Sequence, residues 1–405
     1  MNTLPWKSTL YAILAGELLA ITGFNTSGPI IPFFLQDLGI HDAVRINFYT
    51  GLINALPAIT LAVAAPIWGH LADQYGRKPM LLRAMFGGVV VLVLQGLVTE
   101  PWQLLILRML QGMITGTVAA ATVMVASIAP QEEQGASLGL LQMTVFLGAS
   151  LGPMFGGVIS DLFGHRVTFF ATAGLLLVAG VVVSRFAQDD FVPPKASPAP
   201  GHRWWPGLSA LTHSKAIWSL LAVVAADQVA GSITAPFLPL FIQSLPGPRA
   251  LVSSTTGLIL GLGAMASALA AATVGKLSYR WGYGRTLILC MGSAAVFTLP
   301  QAFVTSPLEL LALRLVSCFF IGGTMPSANA LIAQRVPQGK QGSVYGLTSS
   351  IASTANALGP LVGATMAASL GFGSVFLGTG LILGLAGGAI ALYVRHPHPQ
   401  DHPVG

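Results

Sequence analysis

Four ionisable residues stand inside long apolar runs of this chain: Glu17, Arg108, Asp227 and Arg314. Charge within hydrocarbon is costly enough that each such group is a candidate for function. A carboxyl enclosed among apolar side chains takes up a proton more readily than one in water, and a nearby arginine opposes that uptake. Glu17 and Asp227 are therefore expected to include a proton carrier, whose occupancy changes when an arginine moves or a solute fills the space beside it. Arg108 and Arg314 are the expected partners, although a static ion pair holding helices together competes with that reading.

The elements that must position these groups follow from composition. Of 405 residues, 54% are hydrophobic and 8% charged, whereas soluble domains carry about 25% charged residues. A helix needs about 20 apolar residues to cross a bilayer, and twelve such runs are read at 8–35, 46–70, 79–98, 102–128, 135–160, 166–186, 216–243, 251–275, 285–304, 307–334, 342–369 and 372–394. The expected fold class is an all-α membrane protein of twelve transmembrane helices. Lys7 precedes the first run as in a signal peptide, but the apolar stretch continues to Leu35 without a small-residue cleavage site, so the run reads as a retained helix. At 1.5 Å per residue Glu17 lies roughly 14 Å from the inner end of the first span, and Arg108 roughly 9 Å from the outer end of the fourth. Those levels allow pairing directly or through water, and Asp227 and Arg314 repeat the relation on the seventh and tenth spans.

The chain repeats itself at an offset of 206 to 207 residues: Pro29-Ile-Ile-Pro32 against Pro236-Phe-Leu-Pro239, Leu107-Arg108 against Leu313-Arg314, and Leu151-Gly152-Pro153 against Leu358-Gly359-Pro360. Parallel repeats of six helices are the mark of duplicated transporter halves. The expected division is a six-helix bundle over 1–187, a proline-rich linker over 188–215 and a second bundle over 216–405. Trp204 and Trp205 in the linker suit the membrane interface. Most of the 19 Lys and Arg, including Lys7, Arg77, Lys78, Arg83, Arg185 and Lys215, fall on one side, against Arg45, Arg166 and Arg249 on the other. The positive-inside rule then places both termini in the cytoplasm. The net charge of +6 comes from these loops, so it points to anionic lipid rather than nucleic acid. Cys290 and Cys318 fall in predicted helices and offer neither a disulfide framework nor a metal site, and His396, His398 and His402 read as a tail.

Two further stretches carry structure-bearing spacing. Gly148, Gly152 and Gly156 clear one helix face at four-residue intervals, with Pro153 and Gly157 beside them, so a neighbouring backbone can approach closely. Gly69-His-Leu-Ala-Asp73-Gln-Tyr-Gly76-Arg77-Lys78 ends one span and begins the next. Asp73 can face the positively polarised start of another helix there, while Arg77 and Lys78 meet anionic lipid or a carboxylate. A positive-inside anchor is the simpler account of the same residues. In the second-half copy the aspartate position is Tyr279, so only the first copy is expected to gate strongly.

On these residues the chain resembles the major facilitator superfamily, and within it the twelve-helix drug:proton antiporters. The 69–78 stretch resembles the superfamily's loop between helices two and three, Arg108-Met-Leu-Gln111-Gly112 its fourth-helix motif, and Gly148 to Gly157 the fifth-helix motif associated with antiport. Pro29 and Pro32 resemble the end of the first-helix motif. The resemblance implies two six-helix bundles around a cavity lined by helices 1, 4, 7 and 10, opening alternately to each side of a bacterial inner membrane. It implies export driven by proton entry, a role for Arg108 in proton coupling, and a latch between Asp73 and the start of helix eleven near Gln341.

Candidate cavity residues are Asn25, Gln111, Gln142, Phe146, Gln228, Phe319 and Met325. Apolar and Met-containing walls with few polar groups suit amphipathic compounds, cationic or neutral, although Phe and Met in apolar helices more often pack than bind. A dedicated physiological solute, such as a lipid, metabolite or siderophore, is the alternative cargo. A non-transporting receptor would leave the buried charges without a purpose. No nucleophile–base motif or GxxxxGK[ST] loop stands in the sequence, so neither an enzyme nor an ATP-driven pump is expected. No cofactor is expected, the partners being a small-molecule substrate, protons and lipid, and the expected unit is a monomer.

Overall fold

The computed structural model describes residues 6–130, 132–189, 215–246, 251–335 and 341–395. The expected linker, with Trp204 and Trp205, lies outside them but for its ends, as do the terminal histidines and the side chains of Asp73 and Tyr279. Backbone in hydrocarbon must satisfy its own N–H and C=O groups, which helices do within one segment. Every regular element among the described residues is accordingly a helix.

The first half contains α1 (Trp6–Thr26), α2 (Ile31–Asp37), α3 (Ala43–Tyr75), α4 (Arg77–Leu97), α5 (Pro101–Ile114), α6 (Thr117–Ile128), α7 (Gln134–Phe163) and α8 (His165–Phe186). The second contains α9 (Lys215–Thr234), α10 (Leu238–Ser244), α11 (Val252–Trp281), α12 (Tyr283–Thr298), α13 (Pro307–Arg335), α14 (Gln341–Leu370) and α15 (Phe372–Arg395). Among the described residues ten spans are long and apolar enough to cross a membrane, or up to eleven if the bent pair α9–α10 is one span. The eleventh expected run corresponds to α14, a helix of 30 residues.

Four spans expected as unbroken are interrupted, each for a local reason. The first passes through a 3₁₀ turn at Gly28–Ile30 into α2, and its repeat partner bends by 44° between α9 and α10. Pro29, Pro32, Pro236 and Pro239 lack the N–H that a continuous helix needs there. The fourth breaks between α5 and α6, where Thr115 is extended and Gly116 takes a φ of 113° that only glycine adopts readily. The ninth tightens into a 3₁₀ turn over Leu299–Phe303, which contains Pro300. Pro57, Pro66, Pro153, Pro326 and Pro360 lie within continuous helices.

The repeat reappears as hydrogen bonds. Gln95 Nε2 on α4 donates to Gln111 Oε1 on α5 at 2.9 Å, and Gln301 Nε2 donates to Ser317 Oγ on α13 at 2.9 Å. Gln36 and Gln243, themselves repeat partners, exchange side-chain amide bonds of 2.9 and 3.2 Å across the halves. Their meeting lies on the pseudo-twofold axis, at the membrane face opposite the linker.

The halves touch mainly through α7 against α11 and α3 against α14. Side chains on Gly157 and Gly257 would overlap the carbonyls of Ser253 and Pro153, and one on Gly51 would overlap that of Pro360. Ser150 Oγ donates to the Gly261 carbonyl at 2.7 Å. These approaches occupy the parts of α3, α7 and α11 toward the face opposite the linker. The close backbone approaches between the halves thus fall on the opposite side.

Gly157→Val forces a side chain into the Ser253 carbonyl, and overpacking of this kind costs about 1–3 kcal/mol. The expected outcome is a lower unfolding temperature in detergent, while Gly135→Val, facing open space on the same helix, leaves it nearly unchanged.

Candidate functional site

Each half buries one acid on its first helix beside a threonine on its fourth. Thr324 Oγ1 on α13 lies 2.6 Å from Asp227 Oδ1 on α9 and 2.6 Å from the carbonyl of Ile321 on its own helix. Glu17 on α1 is wholly enclosed. Thr117, at the start of α6, lies beside it, but neither carboxylate oxygen makes a hydrogen bond of ordinary geometry. Thr117 and Thr324 are equivalent at the 207-residue offset, whereas Asp227 corresponds to Ala20, one turn beyond Glu17. The two threonines were missed in the sequence because a threonine in an apolar helix carries no signal until its acid partner is placed.

The direct Glu17–Arg108 pair that the depth argument allowed is not formed. Arg108, on α5, donates from Nη2 to Ser27 Oγ at 3.3 Å. Ser27 is ten residues beyond Glu17 along the first span, about 15 Å at helical rise. In the second half Thr324, which holds Asp227, is likewise ten residues from Arg314 on α13, again about 15 Å. Arg314 is buried, its stem beside Gly263 of α11. The first span, Trp6–Asp37, has 32 residues, about 48 Å at helical rise against about 30 Å of hydrocarbon, so levels counted from opposite ends of two spans do not coincide.

At the linker face Gly76 turns the chain between α3 and α4 with a φ of 96°. The loop's basic residues bind within their own half. Asp189 Oδ2 accepts the backbone N–H groups of Arg77 and Lys78, at 2.9 Å each, and so caps α4. Lys78 Nζ donates to the carbonyls of Ser184 and Ala187 at the end of α8, where a cation suits the helix dipole. Gly69 faces open space.

The glycine stripe on α7 does as its spacing predicts. Gly148, Gly152 and Gly156 lie against Ile21, Thr22, Asn25 and Thr26 of α1, while Pro153 and Gly157 meet α11 across the halves. Asn25 packs on Gly152 and donates to the Ile21 carbonyl at 2.9 Å. Gln111 is buried against Gln95. Phe319 packs beside Ala270, Val274 and Cys290, and Met325 against the second-half core. Gln142 and Phe146 are exposed on α7, and Gln228 is half-buried next to Asp227.

A contact between the halves stands at the opposite face. The N-cap of α11 is Leu251, which cannot cap, and Asp161 Oδ2 from the end of α7 accepts the Ser254 N–H at 2.7 Å. Ser160 Oγ donates to Ser253 Oγ at 3.3 Å beside it. The signal for it was present: Gly157-x3-Asp161-x2-Gly164-His165-Arg166 has the spacing of Gly69-x3-Asp73-x2-Gly76-Arg77-Lys78. Gly164 repeats the turn of Gly76, with a φ of 87°.

These features define a multi-pass helical membrane protein of two repeated halves with charge buried in each. The profile of the Major Facilitator Superfamily matches residues 13–253 and 229–405, and the chain belongs to that superfamily. It is 33% identical over 387 residues to a protein of Proteus mirabilis named multidrug resistance protein MdtG, covering 95% of this chain and 96% of that one. It is 32% identical to the MdtG of a Rahnella species over 98% of this chain and 96% of the other. A bacterial homologue of the human lysosomal transporter Spinster, solved inward-facing and occupied, shares the fold at a TM-score of 0.79 with 14% identity, over 97% of this chain and 98% of that one. The nucleoside transporter NupG, solved as a point mutant, gives a TM-score of 0.74 at 14% identity, over 94% of this chain and 99% of that one.

A hydrogen bond to a carboxylate contributes about 1.5–3 kcal/mol, so Asp161→Ala favours opening of the opposite face about tenfold or more. Ser253, buried on α11 against Ser160 of α7, reports that opening. With Cys290 and Cys318 replaced by serine, a Ser253→Cys reporter is expected to react with a maleimide about tenfold faster when Asp161→Ala is added.

Proposed function

We propose that the chain is a secondary active transporter of the bacterial inner membrane that exports hydrophobic or amphipathic, cationic or neutral drugs in exchange for protons. The observation that carries the reading is the near full-length similarity to proteins named multidrug resistance protein, in a superfamily whose fold suits transport rather than catalysis. Proton exchange rests on the buried acids: Asp227 held by Thr324, and Glu17 beside Thr117. Arg108 and Arg314 tune these acids from a distance along the helices. Residues 1–187 and 216–405 act as the two moving bodies, joined by 188–215, with the linker face and both termini in the cytoplasm and the monomer as working unit.

Gln142, Phe146 and Gln228 are the strongest candidates for substrate contact, because Asn25, Gln111, Phe319 and Met325 are engaged in packing or hydrogen bonds. The 69–78 loop gates the linker face, with Asp73 as its latch residue and Gly76, Arg77 and Lys78 fixing the turn. The glycines of α7 let the halves approach closely on the other side.

Proteoliposomes with an imposed pH gradient and a panel of cationic and neutral fluorescent drugs test this. Drug movement is expected to depend on the gradient and to fall at least tenfold in Asp227→Asn. Thr324→Val is expected to change the pH at which exchange is half-maximal, whereas Thr324→Ser keeps it. Coupled export that survives Asp227→Asn together with Glu17→Gln would falsify the proton assignment. Folded protein that moves no drug points instead to a dedicated physiological solute.

A further inference from the structure

The outer surface of the first half carries a groove of about 520 Å³ at its linker-face end, where α1 begins and α8 ends. One ridge is Ser8, Tyr11 and Ala12 of α1; the other is Val182, Arg185 and Phe186 of α8, with Gln188 just beyond. Residues three and four apart share one face of a helix, so each ridge is a single face and the groove runs between the two. Glu17 is half a turn out of phase with Ser8 at about 3.6 residues per turn. It therefore lies on the far side of α1, and the groove is separate from the buried acid.

Arg185 is exposed on this surface. Among the described residues no carboxylate stands within ion-pair distance of it, while the neighbouring cations are engaged. Lys7 pairs with Glu133 at 3.8 Å, and Lys78 Nζ is held by the carbonyls of Ser184 and Ala187. Asp189, four residues beyond Arg185, gives Oδ2 to the backbone of α4 instead. A guanidinium open to the surface matches a phosphate with two parallel bonds. Tyr11 and Gln188 add a phenol and a carboxamide to the same rim, both exposed, and a tyrosine at the end of a span suits the headgroup level.

Away from the linker face the same two helix faces turn apolar. On α1, Ala15 follows Tyr11 by four residues and Leu19 follows Ala15 by four; on α8, Val178 precedes Val182 by four and Leu175 precedes Val178 by three. Ala15 and Val178 are exposed, and Leu19 and Leu175 are half-buried. Val178 lies about 10 Å deeper than Arg185 at helical rise. The order of the lining, cationic and polar at the helix ends and apolar along the helices, is the order of a phospholipid from head to chain. We propose that this groove binds an anionic phospholipid of the linker-side leaflet, with its phosphate on Arg185 and an acyl chain along Ala15, Leu19, Leu175 and Val178. A soluble anion would leave that apolar surface without a partner.

Native mass spectrometry of the purified, detergent-solubilised full chain, titrated with dioleoyl phosphatidylglycerol and separately with the zwitterionic dioleoyl phosphatidylcholine, tests the site. Binding of the first phosphatidylglycerol is expected to weaken about tenfold or more in Arg185→Gln. It is expected to stay within about twofold in Arg280→Gln, which removes an exposed cation from the last turn of α11 in the other half. Ser8→Phe fills the groove from an exposed position without touching a charge, and the same loss is expected there as in Arg185→Gln. Equal losses in Arg185→Gln and Arg280→Gln mean a diffuse attraction to basic residues and overturn the proposal. So does unchanged affinity in both Arg185→Gln and Ser8→Phe, or phosphatidylcholine bound as tightly as phosphatidylglycerol. Each variant is first shown to elute as a single species, and Ser8→Phe keeps the test decisive if Arg185→Gln does not fold.

Discussion

The contact of α7 with α11 through bare backbone is the constraint on which the rest of the arrangement depends. Lipid tails are as apolar as leucine, so helices in a bilayer gain little from hiding hydrophobic side chains against each other and rely on close packing instead. Gly157 and Gly257 place each helix against a carbonyl of the other, closer than any pair of side chains allows. Once that approach is fixed, Asp161 is brought to the uncapped start of α11 and Ser150 to the Gly261 carbonyl. Small residues make up most of this seam, and Met154 of α7 is a long side chain that crosses it, lying against Gly261.

The two halves share a plan and differ in its execution. Both carry an amide on the third span bonded into the fourth, at Gln95 and Gln301, and both set a buried acid beside the same threonine position. Only the first half breaks its fourth span, at Thr115 and Gly116, and only there is the acid left without an ordinary hydrogen bond. Glu17 has one methylene more than aspartate and sits one turn lower than the position equivalent to Asp227. The duplication thus supplies the frame, and small local departures give each half a different grip on its acid.

How much of this was legible in the sequence depends on the range of the interaction. Apolar runs located the spans because each is a local property of about 20 residues, and the offset of 206 to 207 residues exposed the halves. The glycine interval on α7 named the right face, since four-residue spacing on a helix is geometry alone. The breaks were less visible. Proline sits at several of them but also inside continuous α3, α7, α13 and α14, so its presence did not decide. Arg108 went to Ser27 and Asp189 to the start of α4 because those partners are chosen by how helices stack, which no spacing along one helix records. Asp161 could have been found, since its motif repeats that of Asp73, but that similarity relates opposite faces of the membrane and was hidden by the stronger repeat between halves.

A hydroxyl has one hydrogen, and Thr324 has two claimants for it at the same 2.6 Å: a carboxylate oxygen of Asp227 and the Ile321 carbonyl of its own helix. When one is served the other is not, and the choice is a rotation about a single bond. An ionised Asp227 is the stronger acceptor of the two, while a neutral one can itself donate and release the hydrogen to the backbone. The charge on α9 is therefore registered in the hydrogen bonding of α13 before any helix has moved.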